Sequence, residues 1–98
     1  MASRSYQQQS LKEAIREMLK AGGMDKKFDS LEVVRCFHEV VGPFISSKIT
    51  SAYVRERTLV IKTSSGPLKH ELMMNRRDLV GRVNEQLQQA LIENIEIY

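Results

Sequence analysis

The spacing of apolar residues changes from helical to strand-like and back within 98 residues, and this change restricts the fold more than any other feature. Two segments with apolar residues every three or four positions are followed by two short β-branched runs, a further helical stretch and a last alternating run. A chain of this length forms one small core. The pattern predicts an α+β domain of order α-α-β-β-α(α)-β, with helices covering a three-stranded sheet.

Two helices are predicted in the first half. Ser10 and Glu13 form a Ser-x-x-Glu capping box, so the first helix is expected to begin at Ser10 and to end at Gly22-Gly23. Its apolar stripe is expected to face the core and consists of Leu11, Ala14, Ile15, Met18 and Leu19. Residues 1–9 are expected to be a flexible N-terminus and residues 10–98 a single domain. The second helix is predicted from about Asp25 to Val41, with Gly42-Pro43 ending it and one irregular turn at Phe44 and Ile45.

The second half begins with a predicted β-hairpin. Its strands run from about Ile49 to Val54 and from Thr58 to Thr63, joined by the segment 55–57, which has the sequence Arg-Glu-Arg. Ser64 to Pro67 then predict a helix start. A helix continuing to Leu91 would be about 40 Å long, twice the length of the strands, so a break is expected near Met74 to Arg76 with Asn75 as a second cap. Ile92 to Tyr98 read as a closing strand.

Enzyme chemistry finds little support in the sequence. The single thiol, Cys36, cannot form an intrachain disulfide, and His38 and His70 have no second ligand at metal-binding spacing. No paired acid and base is apparent, so we expect a protein that is not an enzyme and has no metal, cofactor or small-molecule substrate. No apolar run reaches the roughly 20 residues of a membrane span, and a cytoplasmic protein without a membrane partner is expected.

Basic residues are concentrated in the middle of the chain. Residues 46–82 hold eight Lys or Arg against three acidic residues, whereas residues 83–98 carry only acidic charges. A basic middle can neutralise phosphates, although a solvated surface without a ligand is the alternative. Tyr53 is a possible base-stacking residue, or else a filler of the core or sheet edge. The basic candidates for nucleic-acid binding are Arg57, Lys62, Lys69, Arg76, Arg77 and Arg82.

Met73 and Met74 are candidates for contact with a partner protein. Adjacent helical residues cannot face the same core, and an exposed methionine is typical of an adaptable protein contact. The alternative is that the predicted helix break lets both side chains pack inward.

The segment from Phe37 to Tyr98 resembles the bacterial DciA-like family of replicative-helicase loaders or operators. The resemblance is carried by the order and spacing of five pieces, which are 37–43 (FHEVVGP), Tyr53-Val54 leading to 58–61 (TLVI), 68–72 (LKHEL), Leu79 to Asn84 and the strand at Ile95. It implies a KH-like fold, a cytoplasmic location and a role in DNA replication through contact with the replicative helicase and single-stranded DNA. No Gly-x-x-Gly loop occurs, which is the loop that RNA-binding KH domains use.

The sequence departs from the family pattern at three places. Phe37 stands where members usually have Trp, which is compatible with a core role. The hairpin connection lacks glycine, so a longer loop or a bulge is expected there. Many relatives also carry a disordered extension after the position of Tyr98. Two other functions stay open, namely a general RNA-binding module of KH-like shape and a structural interaction domain.

Overall fold

The computed structural model describes the backbone of residues 4–98 and the side chains of residues 10–98. This part of the chain forms an α+β domain in the predicted order, and no helix in it is long and apolar enough to cross a membrane. The elements are α1 (Arg4–Ala21), α2 (Asp25–Ser46), β1 (Ile49–Arg55), β2 (Thr58–Thr63), α3 (Gly66–Met74), α4 (Arg76–Leu87) and β3 (Asn94–Ile97).

Helix α1 differs from its prediction in both start and packing. It begins at Arg4, so Ser10 lies inside the helix and the predicted capping box does not start it. Residues 1–3 lie outside the described residues, and a flexible N-terminus stays a prediction. The predicted core stripe is also wrong in part, since Leu11 and Met18 are 61% and 70% exposed. The reason is that α1 packs on α2, whose apolar side is already occupied by the sheet and α4.

Helix α2 is interrupted where the sequence predicts its end. Gly42 has φ of 86°, a left-handed conformation that glycine adopts without strain, and Pro43 begins one further helical turn. The amide of Ser47 donates to the carbonyl of Pro43 at 3.0 Å and closes this turn. Phe44 and Ile45 therefore lie in a separate turn after the main helix, as predicted.

The three strands form one mixed sheet of order β1-β2-β3. Strand β1 pairs antiparallel with β2, and β3 pairs parallel with β2 at the opposite edge. The hairpin turn corrects a prediction, because Arg55 pairs directly with Thr58 and leaves a two-residue turn with φ of +48° at Glu56 and +64° at Arg57. Positive φ at both central residues matches the twist of a hairpin, although non-glycine residues adopt it at a cost.

The helical stretch between β2 and β3 breaks where predicted, at Asn75. Asn75 does not cap α4, however, because its side-chain amide donates instead to the carbonyl of Glu71 at 2.8 Å. Helix α4 ends at Leu87, with Gln88 in the left-handed conformation. The following segment crosses to β3 and buries Ile92.

One apolar core lies between the sheet and helices α2, α3 and α4. Alternation along the strands directs Leu59, Ile61, Ile95 and Ile97 into it, and a bulge between Ile49 and Ser51 keeps both Ile49 and Ala52 on that side. Phe37 is fully buried, in agreement with its predicted core role. The helices cover only one side of the sheet, so the other side carries the exposed residues of the strands.

Candidate nucleic-acid interface

The side of the sheet that faces away from the helices, here called the open face, carries two exposed tyrosines. Tyr53 on β1 is 43% exposed, and Tyr98, just after β3, is 55% exposed. Val60 on the central strand lies in register between Tyr53 and Glu96 and is 1% exposed. Lys62 follows on the same face at an exposed position. The open face therefore combines aromatic rings with a cation, as surfaces that bind single-stranded nucleic acids do.

A charge network on the open face involves two residues that the sequence analysis missed. The guanidinium of Arg55 lies 3.3 Å from the carboxylate of Glu96, and the hydroxyl of Tyr98 donates to the same carboxylate at 2.9 Å. This hydrogen bond stabilises the protonated phenol, so it raises the pKa of Tyr98. Arg55 and Tyr98 could have been found from the strand alternation that places them on the same face as Tyr53.

A second group of charges lies at the end of the sheet where the β1–β2 turn is located. Arg57 donates to the carbonyl of Ala90 at 2.9 Å, and its Nε lies 3.6 Å from a carboxylate oxygen of Glu93. Glu93 in turn lines a cleft of about 250 Å³ together with Arg76 and Arg77. We call Arg57, Arg76, Arg77 and Glu93 the turn-end cluster. The cluster holds three cations and one carboxylate, and the neighbouring Glu56 in the β1–β2 turn adds a second carboxylate, so this end of the sheet keeps an excess of one positive charge.

The remaining basic candidates lie elsewhere. Lys69 is exposed on α3, and Arg82 on α4 pairs with Asp78 at 2.9 Å. The seven predicted nucleic-acid residues therefore occupy several surfaces, with only the three arginines of the turn-end cluster and the open-face pair Tyr53 and Lys62 grouped together.

Met73 and Met74 are both exposed, to 47% and 69%, at the end of α3. The break at Asn75 does not turn them inward, so the alternative that both pack into the core is wrong. Asn75 alone separates them from the basic residues Arg76 and Arg77 at the start of α4.

An apolar groove between the end of α2 and helices α3 and α4 is a feature that sequence spacing did not show. It has a volume of about 580 Å³. Phe44 stands at its rim, 74% exposed, with the ammonium of Lys48 4.7 Å from its ring centre. The groove forms because the end of α2 packs beside α3 and α4, which follow it in sequence only after the β1–β2 hairpin. Its apolar walls include Val40, Val41, Leu68, Leu72 and Leu79.

Cys36 and His38 could suggest nucleophilic or metal chemistry, but both have structural roles in the fold. Cys36 is fully buried, and this burial raises the pKa of its thiol, which lowers its reactivity as a nucleophile. His38 shares a hydrogen bond of 2.7 Å with the hydroxyl of Ser46 across the kink at Gly42. Among the described residues, no three His, Cys, Asp or Glu side chains converge as metal ligands do.

These features define a small α+β domain with one open sheet face and a positive surface at one end of the sheet. The family comparison is more specific, because the model described as "Dna[CI] antecedent, DciA" matches residues 10–97. The chain belongs to the DciA family, and this membership implies a helicase-loader-like role in DNA replication. A search of curated proteins and a search of solved structures found no match. The KH-like description therefore stays a prediction from the family resemblance, with which the element order agrees.

Proposed function

We propose that this protein is a non-enzymatic adaptor of DNA replication in the bacterial cytoplasm, which contacts the replicative helicase and single-stranded DNA. The observation that carries the proposal is membership of the DciA family over nearly the whole chain. The grouping of Arg57, Arg76 and Arg77 beside an open sheet face with two exposed tyrosines supports the DNA contact.

In the proposed contact, the turn-end cluster binds phosphates while the open face binds bases. Arginine forms bidentate hydrogen bonds with phosphate, and a base can stack on an exposed tyrosine ring regardless of its sequence. Lys62 supplies a further cation on the open face. Lys69 and Arg82 act as additional phosphate contacts only where the strand continues over α3 and α4.

The helicase contact is proposed at Met73 and Met74. Both side chains are exposed and unbranched, so they can adapt to an apolar surface of a partner. Because only Asn75 separates them from Arg76 and Arg77, this contact would place the bound strand next to the helicase. An adaptor needs such proximity because it must bring the DNA and the enzyme together.

The DNA contact is tested by reversing charge at the turn-end cluster. Arg76→Glu with Arg77→Glu should weaken binding of a single-stranded oligonucleotide at least tenfold and make the affinity less dependent on salt, because two phosphate contacts are lost. The matched control is Lys20→Glu with Lys26→Glu, which changes the net charge equally at exposed positions on α1 and α2. Equal losses in both pairs would show a net-charge effect and contradict the assigned site.

The helicase contact is tested by isothermal titration of the protein into the replicative helicase of the same organism. Met73→Ser with Met74→Ser should reduce the affinity, whereas Phe44→Ser, which alters an equally exposed apolar residue in the groove, should not. A loss confined to Phe44→Ser would move the contact to the groove. Absence of binding by the unaltered protein would overturn the adaptor role.

The RNA-binding alternative is tested by competition. If the adaptor proposal holds, a DNA oligonucleotide should displace a bound strand as well as, or better than, an RNA oligonucleotide of the same sequence. A clear preference for RNA would favour a general RNA-binding module, because the 2′-hydroxyl is the group that distinguishes the two.

A further inference from the structure

The hairpin formed by α1 and α2 has one side held by ion pairs and one side that is apolar and exposed. On the first side, Lys12 pairs with Glu32 at 3.3 Å and Arg16 with Asp29 at 2.9 Å. A helix turns by about 100° per residue, which places Leu11 and Met18 roughly 140–160° around α1 from Arg16. By the same geometry Leu31 lies roughly 160° around α2 from Asp29.

The second side is exposed to an extent that is unusual for large apolar residues. Leu11 is 61%, Met18 70% and Leu31 63% exposed. The rotation of each helix places all three on the side of the hairpin opposite the ion pairs. Ala14 falls between Leu11 and Met18, which gives the spacing i, i+3, i+7 of a helix that packs against another helix. We call Leu11, Ala14, Met18 and Leu31 the hairpin patch.

We propose that the hairpin patch binds a second copy of the same chain, so that two hairpins stack into an antiparallel four-helix arrangement. The two-fold axis would run parallel to the helices, and α1 of each copy would lie over α2 of the other. Such an interface uses the same surface twice, as two-fold symmetric dimers do.

The register of the hairpin supports this arrangement. The two ion pairs place residue 12 beside residue 32 and residue 16 beside residue 29, so Leu31 lies at about the height of Ala14. Rotation about an axis parallel to the helices leaves the position of each residue along that axis unchanged. Leu31 of one copy would therefore meet Ala14 of the other, with Leu11 and Met18 on either side. Leu31 would then fit into the space above the small Ala14, with the larger Leu11 and Met18 on its two sides. This arrangement is knobs-into-holes packing.

The charges at the edges of the patch are complementary under the same symmetry. Glu17 lies on the outer edge of α1, and Lys27 lies at nearly the same height on the outer edge of α2. Both are exposed, and neither forms an ion pair within residues 10–98. Stacking brings Glu17 of each copy opposite Lys27 of the other, so the dimer contains this pair twice. The pairs would favour the stated register over a shifted one.

The size of the patch predicts a weak dimer. Three large side chains and an alanine expose an area of the order of a few hundred Å², below the roughly 800 Å² per partner of a standard interface. We therefore expect weak association, with a concentration-dependent equilibrium between monomer and dimer in solution.

Sedimentation velocity of the full chain over about two orders of magnitude in concentration tests the proposal. The sedimentation coefficient should rise from that of a monomer toward that of a dimer. Leu31→Asp should raise the dissociation constant at least tenfold, whereas Phe44→Asp, which places the same charge at an exposed position outside the patch, should leave it unchanged. Circular dichroism of each variant checks that the fold is intact.

Exchanging the charges at Glu17 and Lys27 distinguishes the stated register from nonspecific association. Glu17→Lys and Lys27→Glu should each weaken the dimer, because each creates two like-charge contacts. An equimolar mixture of the two variants should associate as the unaltered chain does, since both contacts in the mixed dimer pair Lys with Glu. A mixture no stronger than either variant alone, or a chain that stays monomeric throughout, would overturn the proposal. Reduced helicase binding by Leu31→Asp in a monomeric chain would assign the patch to the helicase instead.

Discussion

At the scale of single residues, Asn84 is the polar side chain on which the approach to β3 depends. Its amide nitrogen donates to the carbonyl of Ile92 at 2.7 Å, and its amide oxygen accepts from the amides of Leu91 and Ile92 at 3.1 and 3.2 Å. One half-buried side chain on α4 thus fixes the irregular segment that leads into the edge strand. The sequence gives no signal of this role, because asparagine on a helix is usually solvated.

Replacing Asn84 should destabilise the fold more than its partial burial suggests. Asn84→Ala removes three hydrogen bonds and leaves backbone groups without partners, so the free energy of unfolding should fall by about 2–3 kcal/mol. Chemical denaturation measures this change. Glu85→Ala, at the next and exposed position, is the control and should change stability by less than about 0.5 kcal/mol. Equal effects of the two substitutions would contradict the assigned role.

The two tyrosines of the open face give a second prediction at this scale. Tyr53→Ala and Tyr98→Ala should each weaken single-stranded DNA binding by about 1–3 kcal/mol if bases stack on them. Fluorescence anisotropy with a labelled oligonucleotide measures the affinity. Tyr53→Phe keeps the ring and should bind as the unaltered protein does. Full affinity in both alanine variants would mean that bases do not stack on the open face.

At the scale of elements, the β1–β2 hairpin contains an unfavourable turn. Glu56 and Arg57 both have positive φ, a conformation that costs most residues other than glycine and asparagine about 1–2 kcal/mol. The turn persists because strand pairing on either side fixes it, and because the carbonyl of Arg57 accepts from the amide of Glu93 at 2.8 Å. The turn contains no glycine, so a longer loop was expected. The pairing of the strands on either side of the turn outweighs the conformational cost and keeps the turn at two residues.

Glu56→Asn should therefore stabilise the protein. Asparagine tolerates the left-handed conformation better than glutamate does, so we expect a gain of about 0.5 kcal/mol and a rise in melting temperature of about 2–4 °C. Thermal unfolding followed by circular dichroism measures it. Glu56→Ala has no such preference and should show no gain. A melting temperature unchanged by Glu56→Asn would argue against strain in this turn.

Helix α1 shows how ion pairs can replace apolar packing in an element. Arg16 pairs with Asp29 and also lies 5.9 Å from the ring centre of Phe28, while Lys12 pairs with Glu32. Hydrogen bonds from Arg35 and Lys12 lower the pKa of Glu32, although burial opposes this effect. The apolar stripe that the sequence directs to the core is left exposed in part, and it becomes the hairpin patch.

At the scale of the whole molecule, charge is distributed unevenly around the sheet. The turn-end cluster leaves a positive surface at one end, whereas Glu96 neutralises Arg55 within the open face. Phosphates should therefore be held mainly at the cluster, with Lys62 as a fourth contact, and bases on the tyrosines. Lys69 and Arg82 lie on the helices, outside this path.

This distribution predicts the salt dependence of DNA binding. Four phosphate contacts give a slope of log K against log salt of about −3 for a single strand, whereas involvement of all six predicted basic residues would give about −4. Titrations at several salt concentrations measure the slope. With an oligonucleotide that covers only the cluster and the open face, Lys69→Ala with Arg82→Ala should leave the slope unchanged. A slope near zero would show that phosphates are not the contact at all.

Much of the fold followed from local sequence. Helical and alternating spacing identified the order of elements, Gly42-Pro43 located the interruption of α2, and the length limit placed the break at Asn75. These features depend on neighbours within one or two turns, which a sequence displays directly. The residues of the DciA resemblance likewise predicted the family that the comparison confirms.

What the sequence determined by itself was therefore the order, type and approximate bounds of the elements, together with a basic middle segment. Only the tertiary structure decided which charges lie near one another, because the parallel pairing of β3 with β2 brings Glu93 beside Arg57. Glu93 also lines the cleft that contains Arg76 and Arg77. The tertiary structure also decided that α1 leaves Leu11 and Met18 exposed and that Glu56 and Arg57 adopt positive φ. The physical reason is that long-range packing and strand pairing supply more free energy than local preferences, and sequence spacing does not record these contacts.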